Sequence, residues 1–446
     1  MRVEYRFAHM RVSTTLPRAH TNAIAIVVAA LGYFVDIFDL LLFAIVRVDS
    51  LKSLGVAADQ VKSVGLWLDN YLQVTGLVIG GIVWGIIGDR RGRLAVLFGS
   101  ILVYSVANIL NAFIADAPTT GFGAILHALG LGSALNQYGT LRFIAGFGLA
   151  GELGAGITLV SELVSKERRG LATTLVATVG ILGAVAAFFV TRVVEWRTAF
   201  LIGGIMGLML LILRIGVVES GMFASVQRRH QPARGAFWLL LFPPKRALRY
   251  LCVIACALPI WFSVGILVKY CDSIGASLGM SKDALPQPGA AIMWCYIGLA
   301  VGDMSSGLLS QWLRSRRKAL WIFQLLTLVA IAFYFLVGSV SLTAFYTCVA
   351  CLGFATGYWA VFVTMSAEQF GTNLRATATT SAPNFVRWSA AGSAFLWTQG
   401  EIFLGNGPSA PWQAAVLVAL IILPIAFLSV FFLPETFGRD LDYTEE

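Results

Sequence analysis

Four ionisable residues lie inside long apolar stretches in the first half of the chain: Asp36, Asp39, Arg142 and Glu152. Ionisable side chains within apolar spans are costly unless they are paired or hydrated, so each is a candidate for function. Asp36 and Asp39 are three residues apart and share one helical face. Two acids on one face repel, which favours protonation of one of them unless a cation lies close. The pattern therefore predicts a group of carboxyls that bind and release protons.

The depths of these residues suggest their partners. At a helical rise of about 1.5 Å per residue, Asp39 lies about 25 Å and Arg142 about 30 Å from the cytoplasmic ends of their helices. Asp36 and Glu152 lie at about 21 and 17 Å on the same count. We therefore predict that Arg142 pairs with Asp39, and that Asp36 and Glu152 share a proton near mid-membrane. The alternative is a static ion pair that only holds together the two helices that carry these residues.

The second half carries Asp303 and Arg387 within its apolar stretches. Either the two residues pair, or Arg387 holds an anionic substrate, or it contacts lipid headgroups. Asn384 lies one turn from Arg387 on the same helical face. We therefore predict that Arg387 and Asn384 contact the substrate in the second half, as one of these alternatives.

Other residues are weaker candidates. The side chains proposed to line a substrate cavity are Asn70, Tyr71, Gln73, Trp261, Tyr358 and Trp359, although aromatic residues of membrane proteins more often pack or lie at the membrane interface. Arg214 and Lys269, near helix ends, are expected to extend their charges to that interface.

The elements that position these charges are those of a membrane protein. Of the 446 residues, 58% are hydrophobic and 12% are charged, and the mean hydropathy is +0.80. Soluble domains carry about a quarter of charged residues, whereas apolar runs of about twenty residues match the hydrocarbon core of a bilayer. The sequence predicts an all-α membrane protein with twelve transmembrane helices at 22–46, 64–88, 95–114, 139–163, 170–193, 197–217, 248–272, 288–312, 318–337, 341–366, 375–399 and 412–433. The stretch 115–138 either extends helix 3, re-enters the membrane or lies on the surface.

The positive residues predict an orientation. If the N-terminus is cytoplasmic, the cytoplasmic segments hold 22 Lys and Arg residues and the outer loops hold 6. Such an excess indicates cytoplasmic loops, so both termini are predicted to face the cytoplasm of a cell or inner membrane. The net charge of +9 is explained by these loops next to the lipid bilayer. No nucleic-acid partner is expected, since no groove-reading motif accompanies the charge.

The chain reads as two similar halves. Glu162 precedes Arg169 by seven residues, and Glu368 precedes Arg375 by the same spacing. The basic loop 85–93 also has a degraded counterpart that begins at Gly307. We predict two six-helix bundles, 1–217 and 248–446, joined by a cytoplasmic linker at 218–247. Repeats of this kind suit a transporter with its site between the halves.

Specific motifs resemble those of the major facilitator superfamily. Residues Gly85 to Arg93 match its loop signature G-x-x-x-D-R-x-G-R, through Gly85, Asp89, Arg90, Gly92 and Arg93. The resemblance implies a major facilitator fold in which this loop steadies one conformation at the cytoplasmic side. It implies the same gating role for Glu162 with Arg169 and for Glu368 with Arg375.

Further motifs resemble the branch of sugar porters and metabolite:proton symporters. They are R-F-I-A-G-F-G-L-A-G-E in helix 4, D-I-F-D at Asp36 to Asp39, N-F-V-R at Asn384 to Arg387, and P-E-T-F-G at Pro434 to Gly438. The resemblance implies that an Asp of helix 1 and the Arg of helix 4 form a proton-coupling pair. Gln311 stands where the second-half loop of the family has Asp, and Ile37 and Phe38 replace two aromatic residues.

Several function classes are excluded by the same sequence. The G-x-G-x-x-G at Gly146 to Gly151 lies within a membrane helix, where small residues favour close packing rather than dinucleotide binding. No ATP-binding loop is present, and no cofactor or metal is expected. Six cysteines, including Cys348 and Cys351, read as packing residues. The protein is not expected to be an enzyme, because its spans offer no nucleophile or metal set.

The sequence thus predicts a monomeric secondary active transporter for a small polar metabolite, with proton symport of an organic acid favoured. A sugar or polyol porter and a proton-coupled antiporter of cationic compounds are the alternatives. A receptor that binds a nutrient without transporting it is a further possibility from another class.

Overall fold

The computed structural model describes residues 18–152, 154, 156, 160, 166–219, 237–439 and 445. Within these ranges it describes side chains except those of 18–25, 93–94, 122, 166–170, 215–219 and 376. The predicted gating residue Glu162 lies outside the described residues, and the side chains of Arg93 and Arg169 lie outside the described side chains.

Helices arranged as twelve successive spans make up most of the described chain, each overlapping one of the predicted segments. In the first half, spans 1 to 6 are Arg18–Ser53; Val61–Gly65 with Leu66–Gln73 and Val74–Arg91; Arg93–Asn111; Ala134–Leu149, continued by helical residues 152, 154, 156 and 160; Lys166–Ile181 with Gly183–Val193; and Trp196–Glu219. In the second half, spans 7 to 12 are Pro244–Ala255 with Leu258–Phe262, Ser263–Val268 and Cys271–Ser277; Pro288–Trp312; Arg316–Val337; Leu342–Thr356 with Trp359–Gln369; Arg375–Phe403; and Ala410–Phe432. Short helical pieces at Phe122–Ala128, Trp238–Leu241, Lys282–Ala284 and Gly338–Val340 lie between spans.

Most of these spans suit a bilayer by length and composition. Among the described helices, nine are long and apolar enough to cross a membrane. Span 3 has a shorter apolar stretch, Ala95–Asn111. Span 4 is incompletely described, and span 11 is richer in polar residues. The first residues of spans 1 and 9 and the last residue of span 12 lie at one end of the bundle, which we name the termini end. The loops before spans 2, 4 and 8 lie at the opposite end.

Irregular turns interrupt the helices near the centre of the bundle. Leu66–Gln73 in span 2 and Ser263–Val268 in span 7 are π-helical, and Asn70 Nδ2 of the former donates to the Gly265 carbonyl of the latter at 3.4 Å. Span 10 breaks at Gly357 and Tyr358. Such irregular turns often mark functional positions because they redirect side chains and free backbone groups.

Residues 115–133 lie largely on the surface and do not extend span 3, whereas residues 134–138 already belong to span 4. Their only helix before span 4, within the described chain, is the short and largely exposed Phe122–Ala128. Asp116 Oδ1 accepts a hydrogen bond from the N–H of Ala134 at 2.8 Å, at the start of span 4. This contact satisfies one of the free backbone donors at the helix N-terminus.

Glycines allow the close packing predicted for spans 2 and 4. A Cβ on Gly76 would collide with the carbonyl oxygen of Phe143, and a Cβ on Gly80 with that of Phe147. Contacts this close are the reason for small residues at helix interfaces in membranes. In span 4 itself, a Cβ on Gly146 would collide with the carbonyl oxygen of Gln73, so the glycines of both spans are packing residues, as the sequence predicts.

The repeated loops of the two halves share a backbone feature. Gly92 has φ +93°, and Arg314, which is 222 positions later, has φ +48°. The second-half loop has lost the acid of the motif but keeps a left-handed residue at the equivalent turn. The boundaries 1–217, 218–247 and 248–446 stay a prediction, since residues 220–236 lie outside the described residues. The helix that opens span 7 begins at Pro244.

Candidate functional site

A cavity lies between the two halves of the bundle, with about 300 Å³ of empty space that includes solvent at its open side. Spans 1 and 5 line it from the first half, and spans 7, 8, 10 and 11 line it from the second. The lining residues are Tyr33, Ile37, Ile181, Ile260, Trp261, Val264, Tyr296, Leu299, Trp359 and Arg387. Arg387 is the one charged member of this set. The cavity is therefore an aromatic and aliphatic chamber with a single positive charge.

Arg387 is anchored from one side. Its Nη1 donates to Asn384 Oδ1 at 3.0 Å, and Asn384 Nδ2 donates to the carbonyl of Ala150 at 3.0 Å, across the junction of the halves. The guanidinium carbon lies 5.6 Å from the ring centre of Trp359. Its buried Nε has no hydrogen-bond partner among the described residues. Asn384, a predicted substrate-site residue, thus positions the guanidinium. The Nε of Arg387 remains a donor that an anion could use.

Asp303 serves the cavity indirectly. Its Oδ1 accepts a hydrogen bond from the N–H of Ala360 at 3.0 Å, where span 10 resumes after its break. This cap satisfies a free donor at a helix N-terminus and fixes the neighbouring Trp359 in the cavity wall. The predicted alternative of a direct pair with Arg387 is wrong, because the carboxylate is taken up by the helix end.

Glu152 of span 4 forms a buried ion pair with Arg214 of span 6. Arg214 Nη1 donates to Glu152 Oε2 at 2.8 Å, and both side chains are at most 5% exposed. A Cβ on Gly32 of span 1 would collide with both groups, so that glycine makes room for the pair. The expectation that Arg214 extends to the membrane interface is wrong, because its helix turns the guanidinium inward to a counter-charge.

Asp36 lies between this pair and the cavity. It is 3% exposed, its Oδ1 has no hydrogen-bond partner among the described residues, and its near neighbours Tyr33 and Ile37 line the cavity. Glu152, Arg387, Arg214 and Asp39 are the charged groups whose fields act on it. The predicted proximity of Asp36 and Glu152 is therefore present. The link from Asp36 to Arg387 was not predicted.

Asp39 and Arg142 lie in one region without forming the predicted direct pair. Arg142 Nη2 donates to Asn108 Oδ1 at 2.5 Å, and its guanidinium carbon lies 4.5 Å from the ring centre of Phe200. No hydrogen bond of good geometry reaches either carboxylate oxygen of Asp39 in the described part of the chain, although the charge of Arg142 and the side-chain amide of Asn108 act on it. Asn108 of span 3 accepts the hydrogen bond from the guanidinium instead. The depths of Asp39 and Arg142 in spans 1 and 4 could not predict that a residue of a third helix would bind Arg142.

The remaining predicted substrate residues separate into two groups. Trp261 lines the cavity. Gln73 lies outside the lining, and its Nε2 donates to the Leu40 carbonyl at 3.4 Å. Tyr358 also lies outside, and its hydroxyl donates to the Cys256 carbonyl at 3.2 Å. Both are fully buried packing residues that connect neighbouring helices.

The motif loop joins the halves at the termini end. Asp89 Oδ2 accepts hydrogen bonds from the N–H of Thr377 at 2.8 Å and from its hydroxyl at 2.5 Å. Thr377 belongs to the first turn of span 11, where a negative charge is favourable. Gly85 is buried in span 2, the span that also carries Asp89. Arg90 is exposed, and Gly92 makes the left-handed turn that follows the helix. The loop therefore joins the first half to a helix start in the second.

The second half has its own charge network at this end. Arg316 pairs with Glu368 at 3.1 Å, and Thr436 donates to Glu368 Oε2 at 2.8 Å. Glu435 accepts from the Ser315 hydroxyl and from the N–H of Arg316 at 2.9 Å. Burial alone would raise the pKa of Glu435, but these hydrogen bonds lower it below its ordinary value. The partner of Glu368 is thus Arg316, while predicted Arg375 donates from Nε to the Ala367 carbonyl at 3.2 Å.

Three ion pairs join the halves at or toward the opposite end, and the sequence reading did not predict them. They are Arg47 with Asp272 at 2.9 Å, Lys62 with Glu401 at 2.6 Å, and Lys269 with Asp69 at 2.6 Å. Lys269 and Asp69 are at most 3% exposed. Lys269 does not extend to the interface, because the π-helical turns of spans 2 and 7 bring it to a buried carboxylate. The sequence did offer one clue to these pairs, since each joins opposite charges that lie at corresponding depths in the two halves.

Comparisons with known proteins identify the family and the fold. The model of the family described as Major Facilitator Superfamily matches residues 24–394. A solved structure titled as the proton:xylose symporter XylE bound to 6-bromo-6-deoxy-D-glucose superposes with a TM-score of 0.65 at 18% identity, covering 96% of this chain and 98% of that chain. At this identity the likeness concerns the fold.

Curated relatives share more sequence. The 3-(3-hydroxy-phenyl)propionate transporter of Escherichia coli (strain K12) is 27% identical over 374 residues, which cover 82% of this chain and 84% of the relative. The gentisate transporter of Corynebacterium glutamicum is 30% identical over 182 residues, covering 39% of this chain and 36% of the relative. With the family model spanning most of its length, this multi-pass membrane protein belongs to the major facilitator superfamily of transporters.

Proposed function

We propose that this metabolite transporter carries a small organic acid together with protons. The observation that carries the proposal is Arg387, the single charge in the lining of the cavity between the halves. A guanidinium presents planar donors that fit a carboxylate in two parallel hydrogen bonds. An anion that enters the cavity would supply the partner that the Nε of Arg387 lacks within the described chain.

The rest of the lining favours a flat, apolar acid. Tyr33, Trp261, Tyr296 and Trp359 contribute rings, and no carboxylate, amide or aliphatic hydroxyl is among the described residues of the lining. A sugar or polyol needs several such hydrogen-bond partners, because its unmatched hydroxyls would be desolvated at a cost. Two relatives named above are transporters of aromatic acids, which supports the same substrate class.

Asp36 is the proposed proton carrier. With the cavity empty of substrate, the charge of Arg387 helps to balance the carboxylate of Asp36. A substrate carboxylate that binds Arg387 takes over this charge, so Asp36 is left among acids and its protonated form is favoured. Substrate and proton would then enter together. Glu152 is less suited to carry the proton, since Arg214 already neutralises it.

Alternating access follows from the contacts between the halves. Ion pairs join them at or toward the opposite end, and Asp89 with Thr377 joins them at the termini end. Each set must separate in turn for the cavity to open to one side. The excess of Lys and Arg in loops at the termini end supports a cytoplasmic position for that end. Protons would then move inward from the opposite side.

Reconstituted vesicles test this proposal. The purified chain is placed in liposomes with an imposed pH gradient and supplied with labelled 3-(3-hydroxyphenyl)propionate, gentisate, xylose or tetraethylammonium. We expect accumulation of an acid that collapses when a protonophore removes the gradient, and no accumulation of the sugar or the cation. Accumulation of xylose or of tetraethylammonium instead would contradict the proposal, as would acid uptake that is indifferent to the gradient.

A further inference from the structure

A polar stripe runs along span 3, a helix that is otherwise apolar. Tyr104, Ser105, Asn108 and Asn111 are each fully buried. Residues at these spacings project from one side of a helix. From Tyr104 to Asn111 the stripe rises about 10 Å along the helix axis. Asn111 is the last residue of the span, so the stripe reaches from the interior to the opposite end of the bundle.

Most of the polar atoms in this stripe lack protein partners. The Tyr104 hydroxyl, the Ser105 hydroxyl, the Asn108 amide nitrogen and both amide atoms of Asn111 have no hydrogen-bond partner among the residues that the structure describes. Buried polar groups are nearly always satisfied, and ordered water is the usual partner where protein is not. A buried water typically makes two to four hydrogen bonds to such groups. Five atoms in one row therefore point to several waters.

Other helices add polar atoms to the same region. The Nε and Nη1 of Arg142 also lack hydrogen-bond partners within the described chain, and the only group close to hydrogen bonding with the Asp39 oxygens there is the side-chain amide of Asn108. Arg142 contacts the stripe through Asn108. In span 6, a Cβ on Gly203 would collide with Asp39 and a Cβ on Gly207 with Ser105, so these glycines let span 6 pack directly against the stripe. The region lies among spans 1, 3, 4 and 6, and none of these stripe residues lines the substrate cavity.

The inner end of the stripe reaches the proposed proton carrier. Asp36, Glu152, Asp39 and Arg214 are the charged groups whose fields act on the Tyr104 hydroxyl. We propose that the stripe is a hydrated proton inlet, which leads from the opposite end through Asn111, Asn108 and Asp39 to Asp36. The inference rests on the proposed proton coupling. It gives the proton a route within the first half, separate from the route of the substrate between the halves.

The charges along the route are compatible with proton passage. A lone guanidinium would repel a proton, but the carboxylate of Asp39 lies in the field of Arg142 and balances it. A proton passed along water adds to an Asp39 oxygen and is then released to Asp36, with no other bond made or broken. The pair also gives a hydrated metal cation no net negative charge to bind.

Hydroxyl-radical footprinting of the purified full-length protein tests hydration directly. Radicals formed from ordered water oxidise neighbouring rings even where bulk solvent has no access. We expect fast oxidation of Tyr104. Tyr334 is the matched control, because it is equally buried and its hydroxyl donates to the Leu267 carbonyl at 2.8 Å. Equal and slow oxidation of both tyrosines would overturn the inlet.

A second experiment measures proton passage. Asn111→Leu removes two polar atoms at the outer end of the stripe while keeping the branching and the number of heavy atoms, and Asn111→Ser keeps a polar group. In vesicles with a trapped pH dye and 3-(3-hydroxyphenyl)propionate outside, we expect Asn111→Leu to slow substrate-driven proton entry at least tenfold and Asn111→Ser to restore most of it. Substrate exchange at equal pH should stay within twofold. Ser100→Ala, one turn before Tyr104 in the same helix, is the control, because its hydroxyl already donates to the Leu97 carbonyl at 3.4 Å.

The outcomes separate this inference from the function on which it rests. One outcome is that Tyr104 is oxidised quickly but the wild type moves no protons. This would refute proton symport and, with it, the inlet role, while leaving the hydrated stripe in place. Coupled transport in the wild type that Asn111→Leu leaves at full rate would refute the inlet and leave symport standing. Loss of exchange in step with loss of proton entry would mark Asn111 as a packing residue.

Discussion

Two buried cations, Arg214 of the first half and Arg387 of the second, are treated differently. Arg214 pairs with Glu152. Arg387 has one side-chain anchor, Asn384, lines the cavity between the halves, and has an Nε without a partner in the described chain. A buried charge with an ion partner is balanced within the protein, whereas a buried charge without one is costly until a ligand provides the partner. Arg214 is therefore balanced by its own half, and Arg387 is left to bind cargo.

The loops of the two halves show the same division. The first-half loop uses Asp89 to bind the start of span 11, in the other half. The second-half loop has Gln311 at the equivalent position and directs Glu368 and Glu435 to Arg316 and its helix start, within its own half. Contact between the halves at the termini end therefore depends more on the first-half loop. The following variants test how far the contrast between paired and unpaired charges extends.

Breaking the paired cation should have the largest effect. Glu152→Gln leaves Arg214 buried without its counter-charge, so we expect the free energy of unfolding to fall by about 3–5 kcal/mol. Denaturant unfolding in detergent measures the loss. Adding Arg214→Met to the same variant should restore most of it, because both charges are then gone. If Glu152→Gln is as stable as the wild type, the pair is not a stabilising element.

Removing the unpaired cation should spare stability and abolish transport. We expect Arg387→Gln to lower acid uptake by at least 100-fold, about 2.7 kcal/mol, while the unfolding free energy changes by less than about 1 kcal/mol. Arg387→Lys should retain more uptake than Arg387→Gln but less than wild type, because an ammonium cannot bind a carboxylate through two parallel bonds. Uptake and unfolding are measured on the same preparations. Wild-type uptake by Arg387→Gln would remove the basis for an anionic substrate.

Removing the proton carrier should separate two activities. With Asp36→Asn, we expect acid accumulation against a gradient to fall to the equilibrium level, while exchange of internal for external acid continues within about threefold. Asp39→Asn should slow accumulation by a smaller factor, because Asp39 delivers protons and does not face Arg387. Labelled-acid accumulation and exchange are compared in matched vesicles. Full accumulation by Asp36→Asn would assign the coupling role to another group.

Exposed charges between the halves should matter least. Lys62 and Glu401 are 30% and 14% exposed, and solvent weakens such pairs. Lys62→Met should therefore change the unfolding free energy by no more than about 1 kcal/mol. Lys269→Met leaves Asp69 buried and unpaired, and we expect a clearly larger loss in the same unfolding assay. Equal losses for the two variants would show that burial does not distinguish the pairs.

Much of the architecture follows from the sequence alone. Apolar runs gave the twelve spans, and the motif of residues 85–93 gave the family, because both are local patterns that the bilayer imposes on any chain that crosses it. Arg387, Asn384 and Trp261 were identified as candidates for the same reason: polar or aromatic side chains within spans are few enough to single out. The proximity of Asp36 and Glu152 followed from depth, which sequence position fixes within a helix.

Partners across helices were decided only by tertiary structure. Depth does not tell which way a side chain points, so Arg214 and Lys269 were misread as interfacial, and the Asp39–Arg142 pair was expected without Asn108 between its helices. The ion pairs between the halves and the polar stripe of span 3 escaped notice for the same reason. Helix rotation and the redirecting π-turns of spans 2 and 7 set these contacts. Both arise from packing between segments far apart in the chain.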